Sequence, residues 1–229
     1  MPAHEFKASE YAKFDSVNAW IETSLVKQDA SLASCLEANA TAQLEDIDVA
    51  PNEGKFHYLL AKMNKVKRVL EIGTLGGYSA IWFAKAVAPV GGKVITLEFE
   101  PEHAKVARSN IANAGFADVV EVRVGKALDT LKKMREDGEE GFDYVFIDAD
   151  KSNNAGYLKY ALEFAHVGTV IVVDNVVRQG KVLEDKDAHS EGQRKAFEFL
   201  KGEKRVECTA LQTVGPKGWD GFAVAMVVE

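Results

Sequence analysis

Two short polar segments hold the residues with the strongest potential for chemistry. Asp148, Asp150 and Lys151 follow one β-rich run, and Asp174 and Asn175 follow the next. In a doubly wound sheet these strand ends are neighbours, so Asp148, Asp174 and the amide oxygen of Asn175 can converge on one point. Oxygen donors without Cys or His suit a hard cation such as Mg²⁺. A single Asp at a strand end usually only caps a loop, but this combination of polar residues favours a metal site.

A glycine-rich turn follows the first β-rich run and leads into a predicted helix. Its sequence is Glu71-Ile-Gly73-Thr-Leu-Gly76-Gly77-Tyr-Ser79. Glycine lets the backbone bend sharply and lets a ligand approach closely, and a helix N-terminus offers free N–H groups to an anionic group. Leu75 stands where the dinucleotide pattern G-x-G-x-x-G requires its second glycine. The turn therefore disfavours a pyrophosphate, and a tight turn without any ligand is the alternative.

The ends of the second and third β-rich runs indicate an adenosine. Glu98 ends the second run, where an acid can accept hydrogen bonds from both ribose hydroxyls. Gly125-Lys126-Ala127 ends the third run with small residues that leave room for a flat base. A solvated strand end is the alternative role for Glu98, and the apolar neighbours Leu97 and Phe99 make it less favoured.

The periodicity of the chain indicates the elements that position these residues. Apolar residues recur at helical spacing over the first sixty-odd residues, and β-rich runs then alternate with helical stretches. The β-rich runs are 68–72, 93–98, 119–124, 142–147 and 169–173, and the helical stretches are 78–88, 101–114, 127–137, 156–165 and 191–201. Two last strands, 206–212 and 221–228, are too close together for a crossover helix and predict an antiparallel hairpin. The pattern predicts one α/β domain over 1–229, with N-terminal helices over 1–66 and a doubly wound, Rossmann-like core over 67–229.

Composition excludes several classes of protein. The chain has 229 residues, of which 47% are hydrophobic and 28% charged, values that are typical of a globular protein. Its net charge of −7 argues against a nucleic-acid partner, which requires clustered positive charge. Cys35 and Cys208 are too few and too scattered for a disulfide framework. No apolar run is long enough for a signal core or a membrane span, so we expect a cytoplasmic protein without a membrane partner.

The motifs occur together in an order that resembles the cation-dependent O-methyltransferases, the family of caffeoyl-CoA and catechol O-methyltransferases. The order is the glycine-rich turn, Glu98, Asp148-Ala-Asp150-Lys151 and Asp174-Asn175. Glu53-Gly54-Lys55-Phe56 is similar to that family's stretch before the first strand, and Gly215-x-Lys217-Gly-x-Asp220-Gly221 is similar to its C-terminal hairpin. The resemblance covers nearly the whole chain beyond Val17, and the joint occurrence of the motifs makes it specific.

The resemblance implies a fold, a reaction and a set of site residues. The implied fold is a seven-stranded, mostly parallel sheet with a reversed last strand, and the implied reaction transfers a methyl group from S-adenosylmethionine to one hydroxyl of a vicinal dihydroxy-aromatic molecule. The cation would be Mg²⁺, Mn²⁺ or Ca²⁺, and we expect a homodimer. The implied cofactor-binding residues are Val49, Glu71, Gly73, Thr74, Gly77, Ser79, Glu98, Ala127, Asp148 and Asp150; the implied metal ligands are Asp148, Asp174 and Asn175; and Lys151, the candidate general base, is catalytic with Asp148.

Some positions depart from the family pattern. Arg178 stands where a tryptophan is common, so either an aromatic wall over the acceptor ring is missing or Arg178 stacks there. Asn154 stands where an aromatic residue is common. The polar stretch 181–189 is either a closing lid or a solvated connector, and the N-terminal helices either line the acceptor pocket or form a dimer face. A nicotinamide-dependent oxidoreductase and a non-catalytic adenosine-binding protein are the rival functions. The acceptor itself, whether free catechol, thioester or flavonoid, stays open.

Overall fold

A seven-stranded sheet forms the centre of the computed structural model, which describes residues 8–184 and 186–229. Its strands are β1 Arg68–Ile72, β2 Lys93–Glu98, β3 Val120–Val124, β4 Tyr144–Ile147, β5 Val170–Asp174, β6 Val206–Gly215 and β7 Gly218–Val227. The strand order is β3-β2-β1-β4-β5-β7-β6. The first five strands are parallel, and β7 runs antiparallel to both of its neighbours. The predicted fold class is confirmed, including the reversed last strand.

Helices cover both faces of the sheet. They are α1 Ala8–Leu25, α2 Ala30–Thr41, α3 Pro51–Met63, α4 Tyr78–Val87, α5 Pro101–Asn113, α6 Ala127–Glu136, α7 Asn154–Glu163, α8 Lys181–Glu184 and α9 Ala188–Gly202. Short 3₁₀ helices span Ala88–Val90, Lys151–Asn153 and Arg178–Gly180. Helices α2 to α5 share a core with one face of the sheet, and α6, α7 and α9 share a second core with the other face. Among the described residues, no helix is long and apolar enough to cross a membrane.

The apolar side chains of strands β4 and β5 enter two cores in alternation. All residues of β4 and β5 are buried, as expected for strands that carry helices on both faces. Tyr144 and Phe146 point into one core, whereas Val145 and Ile147 point into the other. Because β4 and β5 pair in parallel, with Ile147 opposite Val173, both strands end at a common edge, and Asp148 begins the polar segment at that edge.

Three predicted boundaries are corrected by local interactions. Helix α9 begins at Ala188 rather than Glu191, because the Asp187 side chain accepts hydrogen bonds from two backbone N–H groups of the first turn. The hairpin strands extend as far as Gly215 and Gly218, so only Pro216-Lys217 connects them. The N-terminal region is interrupted by a non-helical segment over 42–50, which the helical pattern did not indicate.

Candidate active site

A cleft of about 970 Å³ opens where the parallel strands end. Its wall contains residues that follow β1, β2, β3, β4 and β5, which is the edge where doubly wound sheets bind ligands. Ten of the predicted site residues line it: Val49, Gly73, Thr74, Ser79, Glu98, Ala127, Asp148, Asp150, Lys151 and Asn175. The structure therefore brings together segments that lie up to 126 positions apart in the sequence, from Val49 to Asn175.

The glycine-rich turn brings the end of β1 against the end of β4. Gly73 has a φ of 103°, and a Cβ atom there would lie 2.0 Å from the backbone oxygen of Asp148. Only glycine permits this approach. Gly77, at the N-cap of α4, has a φ of 87° and packs near Ala107, outside the lining of the cleft. The first glycine shapes the cleft, whereas the later one starts the helix.

Glu98 braces this turn from the end of β2. Its Oε2 accepts hydrogen bonds from the backbone N–H of Thr74 at 3.2 Å and of Leu75 at 2.8 Å. Its Oε1 accepts a hydrogen bond from the backbone N–H of Glu100 at 2.9 Å. Glu98 therefore has a structural role, and its carboxylate also faces the cleft.

Glu71 lies behind the cleft wall and does not line it. Its side chain is fully buried and accepts a hydrogen bond from the Thr96 hydroxyl at 2.5 Å, while its second carboxyl oxygen has no hydrogen-bond partner. Burial raises the pKa of Glu71 to about 8. At neutral pH the carboxyl is therefore mostly protonated, which favours a structural role over direct contact with a ligand.

Replacing Glu71 with glutamine is expected to flatten the pH dependence of stability. The carboxyl has a pKa of about 8 in the folded chain and an ordinary value near 4.5. The folded state therefore holds an extra proton between these values, and the parent loses stability as pH rises from 4.5 to 8, by on the order of 3–5 kcal/mol. Urea unfolding at pH 5 should give similar stabilities for both proteins, and at pH 8.5 Glu71→Gln should be more stable. Parallel pH profiles would show that Glu71 has an ordinary pKa.

A compact polar group lies at the ends of β4 and β5. Lys151 is 9% exposed, and its Nζ is 2.6 Å from Oδ1 of Asp148. Asp174 is 6% exposed and accepts a hydrogen bond from the backbone N–H of Asn175 at 2.6 Å. Asn175 adopts a φ of 55° and lines the cleft, whereas Asp174 lies just behind the lining. This arrangement is consistent with the prediction that Asp148, Asp174 and Asn175 lie close together.

Two further acids, Glu53 and Asp220, interact with this group from distant parts of the chain. Burial, together with the charges of Glu53 and Asp148, raises the pKa of Asp174 well above its usual range. Burial and the charge of Asp148 raise the pKa of Glu53 to about 7, and Asp220 adds to the effect. Sequence reasoning gave Glu53 and Asp220 no role in the site. The only signal in the sequence was that Glu53 lies in the motif before the first strand and Asp220 in the motif of the C-terminal hairpin.

The buried acids fit a divalent cation. Among the described residues, no three His, Cys, Asp or Glu side chains are arranged to hold a metal ion. The predicted set differs from such a group, because it combines only two carboxylates, Asp148 and Asp174, with the amide oxygen of Asn175. Hard cations accept such amide oxygens and complete their coordination with water or substrate. Lys151 contacts Asp148, yet burial and mutual repulsion still raise the pKa of Asp174 and Glu53, so the ionised forms of these acids would be stabilised by a further positive charge.

The Asp150 carboxylate lines the cleft and accepts three hydrogen bonds from nearby side chains. Its Oδ1 accepts a hydrogen bond from the Tyr157 hydroxyl. Its Oδ2 accepts hydrogen bonds from the Ser152 hydroxyl at 2.8 Å and the Asn153 amide at 2.7 Å. These contacts fix the carboxylate, while Asp150, Asn153 and Tyr157 all contribute to the cleft wall.

Arg178 does not take the place of the missing aromatic residue. Its guanidinium is 3.1 Å from Oδ1 of Asp187 and 3.1 Å from the Ser190 hydroxyl, so it ties the end of β5 to the start of α9. Arg178 also lies outside the lining of the cleft, so the alternative that it stacks on an acceptor ring has no support from this structure. The stretch 181–189 contains α8 and the start of α9, and its described residues are mostly exposed, which is consistent with a solvated connector. Its last residue, His189, lines the cleft.

The N-terminal helices and the segment that joins α2 to α3 contribute differently to the cleft. Residues 45 and 47–49 line it, but no described residue of α1 does. Of the two alternatives for the N-terminal helices, lining the pocket gains no support here, because this part of the lining comes from the segment between α2 and α3. Lys217 in the β6–β7 turn hydrogen-bonds to the backbone oxygen of Asp48 and so holds this segment.

The chain is a Rossmann-like α/β protein whose cleft lies at the carboxyl edge of the sheet, the usual place for a ligand in such folds. Residues 21–223 match the sequence profile described as O-methyltransferase. The chain is 49% identical over 212 residues to a catechol O-methyltransferase of Mycobacterium tuberculosis, covering 92% of this chain and 94% of that protein. The chain belongs to the O-methyltransferase family.

Solved structures agree with this assignment. The O-methyltransferase of Bacillus cereus in complex with SAH superposes with a TM-score of 0.93 at 46% identity, covering 95% of this chain and 99% of the other. The O-methyltransferase TomG of Streptomyces achromogenes, in complex with SAM, superposes with a TM-score of 0.91 at 41% identity, covering 96% and 99%.

Proposed function

We propose that this chain transfers a methyl group from S-adenosylmethionine to one hydroxyl of a catechol-type acceptor, with the help of a divalent cation. The observation that carries the proposal is the placement of the Lys151–Asp148 pair and Asn175 in the same cleft as Glu98 and the Gly73 turn. The names of the relatives support the proposal, because the Mycobacterium tuberculosis protein is a catechol O-methyltransferase and the two superposed structures hold SAH or SAM.

The cleft has suitable groups for each part of the cofactor. Glu98 would accept hydrogen bonds from the ribose hydroxyls, and Ala127 would lie against the adenine. The methionine part would lie beside the first turn of α4, where the helix N-terminus favours its carboxylate. The residues proposed there are Val49, Gly73, Thr74, Ser79 and Asp150.

Asp148, Asp174 and Asn175 would hold the cation. When bound, the cation would stabilise an ionised hydroxyl of the acceptor and offset the negative charge that now surrounds Lys151. Burial and the charge of Asp148 raise the pKa of the neighbouring Glu53 to about 7, and a bound cation would favour its ionised form. The donor set, which lacks His and Cys, favours Mg²⁺ or Mn²⁺ over softer metals.

Lys151 is proposed as the general base. A catechol hydroxyl has a pKa near ~10, like that of tyrosine, so little phenolate exists at neutral pH. Lys151 lies 2.6 Å from Asp148 and borders the cleft, so it would accept the proton of a hydroxyl held at this position once a bound cation had shifted it to its neutral form. The surrounding walls position the acceptor and exclude water, and such positioning can contribute up to ~7–11 kcal/mol to the lowering of the barrier.

The charge of the cleft favours an acceptor without phosphate groups. The charged side chains on its wall are seven acids, Glu45, Asp48, Glu98, Glu100, Asp129, Asp148 and Asp150, and two lysines, Lys126 and Lys151. Like charges repel across a cleft whose low-dielectric walls focus the field. We therefore favour neutral or amine-bearing catechols over the polyanionic thioesters of coenzyme A.

The proposed function is tested by binding and by transfer. Calorimetry is expected to show binding of S-adenosylmethionine and no comparable binding of NAD, because the turn lacks the dinucleotide pattern. With labelled cofactor and Mg²⁺, the label should pass to a neutral catechol with a higher kcat/KM than to a catechol thioester of coenzyme A. Binding of the cofactor without transfer to any catechol would favour the non-catalytic alternative. Preferential binding of NAD would favour the oxidoreductase.

We also propose that the chain forms a homodimer. Helix α1 exposes Trp20 and Leu25, which are 68% and 71% accessible, and α3 exposes Met63 at 68%. Burial of such apolar side chains in a second copy would stabilise the pair. Light scattering at micromolar concentration tests the proposal, and a monomeric mass would contradict it.

A further inference from the structure

The first turns of α9 contain buried polar side chains that reach the end of β5. Gln193 is 0% exposed. Its Nε2 donates a hydrogen bond to the backbone oxygen of Asn175 at 3.0 Å and approaches that of Asp174 at 3.4 Å. One buried side chain thus contacts the backbone of two proposed cation ligands.

The same turn of α9 lies against the segment that carries Lys151. A Cβ atom at Gly192 would lie 2.1 Å from the backbone oxygen of Lys151 and 2.6 Å from the Cα of Ser152. No side chain can be placed between the helix and this segment without moving one of them. Residues 192 and 193 therefore place α9 directly against both polar segments of the site.

Asn175 needs such support because of its backbone conformation. Its φ of 55° lies in the left-handed region, which asparagine adopts more readily than other non-glycine residues but less readily than glycine. Two contacts hold it there: its N–H donates to Asp174, and its carbonyl accepts from Gln193. The direction in which the Asn175 side chain points depends on this backbone geometry.

The other half of the Gln193 amide is held by a residue that departs from the family pattern. Asn154 is 0% exposed and donates from Nδ2 to Oε1 of Gln193 at 2.5 Å. The Oδ1 of Asn154 has no hydrogen-bond partner, and an unpaired buried acceptor costs stability. The hydrogen bond from Asn154 fixes the orientation of the Gln193 amide, with Oε1 toward Asn154 and Nε2 toward the Asn175 carbonyl.

We propose that Gln193 is a positioning residue, which holds Asn175 in the conformation that lets its amide oxygen bind the cation. This inference rests on the proposed function. Gln193 lies outside the lining of the cleft and acts through the backbone of β5. Outer partners that orient metal ligands typically change metal affinity by about 10–100-fold when they are removed.

The test uses Gln193→Met, which preserves the length of the side chain and removes both hydrogen bonds. Calorimetric titration with Mn²⁺ alone is expected to show about 10–100-fold weaker binding than in the parent. Affinity for S-adenosylmethionine should stay within about twofold, and kcat should fall while the KM for the cofactor does not change. Leu200→Ala provides the control, because Leu200 is a buried apolar residue on the same helix. It should lower the melting temperature without weakening Mn²⁺ binding.

Four outcomes contradict the inference in distinguishable ways. A stable Gln193→Met protein that binds Mn²⁺ like the parent would show that Gln193 is only structural. An equal loss of Mn²⁺ affinity in Leu200→Ala would show that general loosening of α9 is the cause. A parent that binds no Mn²⁺ would overturn the proposed function as well. If Gln193→Met does not fold, titration of the parent with Mg²⁺ should shift the side-chain amide resonance of Gln193, and an unchanged resonance would overturn the inference.

Discussion

Replacing Lys151 with methionine is expected to lower kcat by about 10²–10⁴-fold, the usual contribution of a general base. Affinity for S-adenosylmethionine should stay within about twofold, because Lys151 is proposed to act on the acceptor. Single-turnover transfer to a neutral catechol, with saturating cofactor and Mg²⁺, measures the effect. Lys159→Met provides a control, since Lys159 is an exposed lysine of the following helix and its loss should leave kcat unchanged.

The pH dependence of this variant follows from the charges around Lys151. Burial disfavours the charged form of Lys151, but the carboxylates of Asp148 and Asp174 outweigh burial and raise the pKa of its ammonium. Without the cation, Lys151 is therefore protonated at neutral pH and cannot accept a proton. In Lys151→Met, activity should recover partly as pH rises toward the phenol pKa of ~10, because more acceptor arrives already ionised. If kcat stays within about twofold of the parent at neutral pH while transfer is rate-limiting, Lys151 is not the base.

Replacing Asp174 with asparagine is expected to lower kcat/KM by more than about 100-fold, beyond the usual effect of losing an outer partner of a metal site. The variant retains the size of the side chain and an oxygen that can accept from the Asn175 N–H. It removes the carboxylate, so it should also abolish the stabilisation by Mg²⁺. At about 100 times its dissociation constant, a cation stabilises the folded state by ~2.7 kcal/mol, or roughly 5–10 °C in melting temperature for a chain of this size.

The melting temperature of Asp174→Asn without the cation separates a ligand role of Asp174 from a structural role. Burial and the neighbouring Glu53 and Asp148 disfavour the charged form of Asp174, which raises its pKa. Removal of this carboxyl should therefore leave the melting temperature of the cation-free protein unchanged or higher. A large fall in that temperature would identify Asp174 as a structural residue, and retention of the Mg²⁺ shift would remove it from the ligands.

Much of the fold could be predicted because its signals are local. The β-rich runs and helical stretches differ in period, and the short last connection predicted the hairpin that β6 and β7 form. Asp148 and Asp174 were predicted to lie together because both follow neighbouring parallel strands, and β4 pairs with β5 as expected. For such residues, position along a strand determines position in space.

The remaining features depend on tertiary contacts that leave no local pattern. Glu53 reaches the site from α3, more than ninety positions before Asp148. The partner of Arg178 is the N-cap residue of a helix whose start was placed three residues too late. The amide pair of Asn154 and Gln193 joins two helices, and each residue alone resembles an ordinary polar helix position.

The central claim is that transfer to a catechol depends on a divalent cation held by Asp148, Asp174 and Asn175. The most direct test removes the cation with a chelator, removes the chelator, and measures transfer of labelled methyl to a neutral catechol before and after Mg²⁺ or Mn²⁺ is restored. We expect transfer to stop in the cation-free protein, while binding of S-adenosylmethionine persists, and to return with either cation. Full transfer in protein shown to be free of metal would contradict the account.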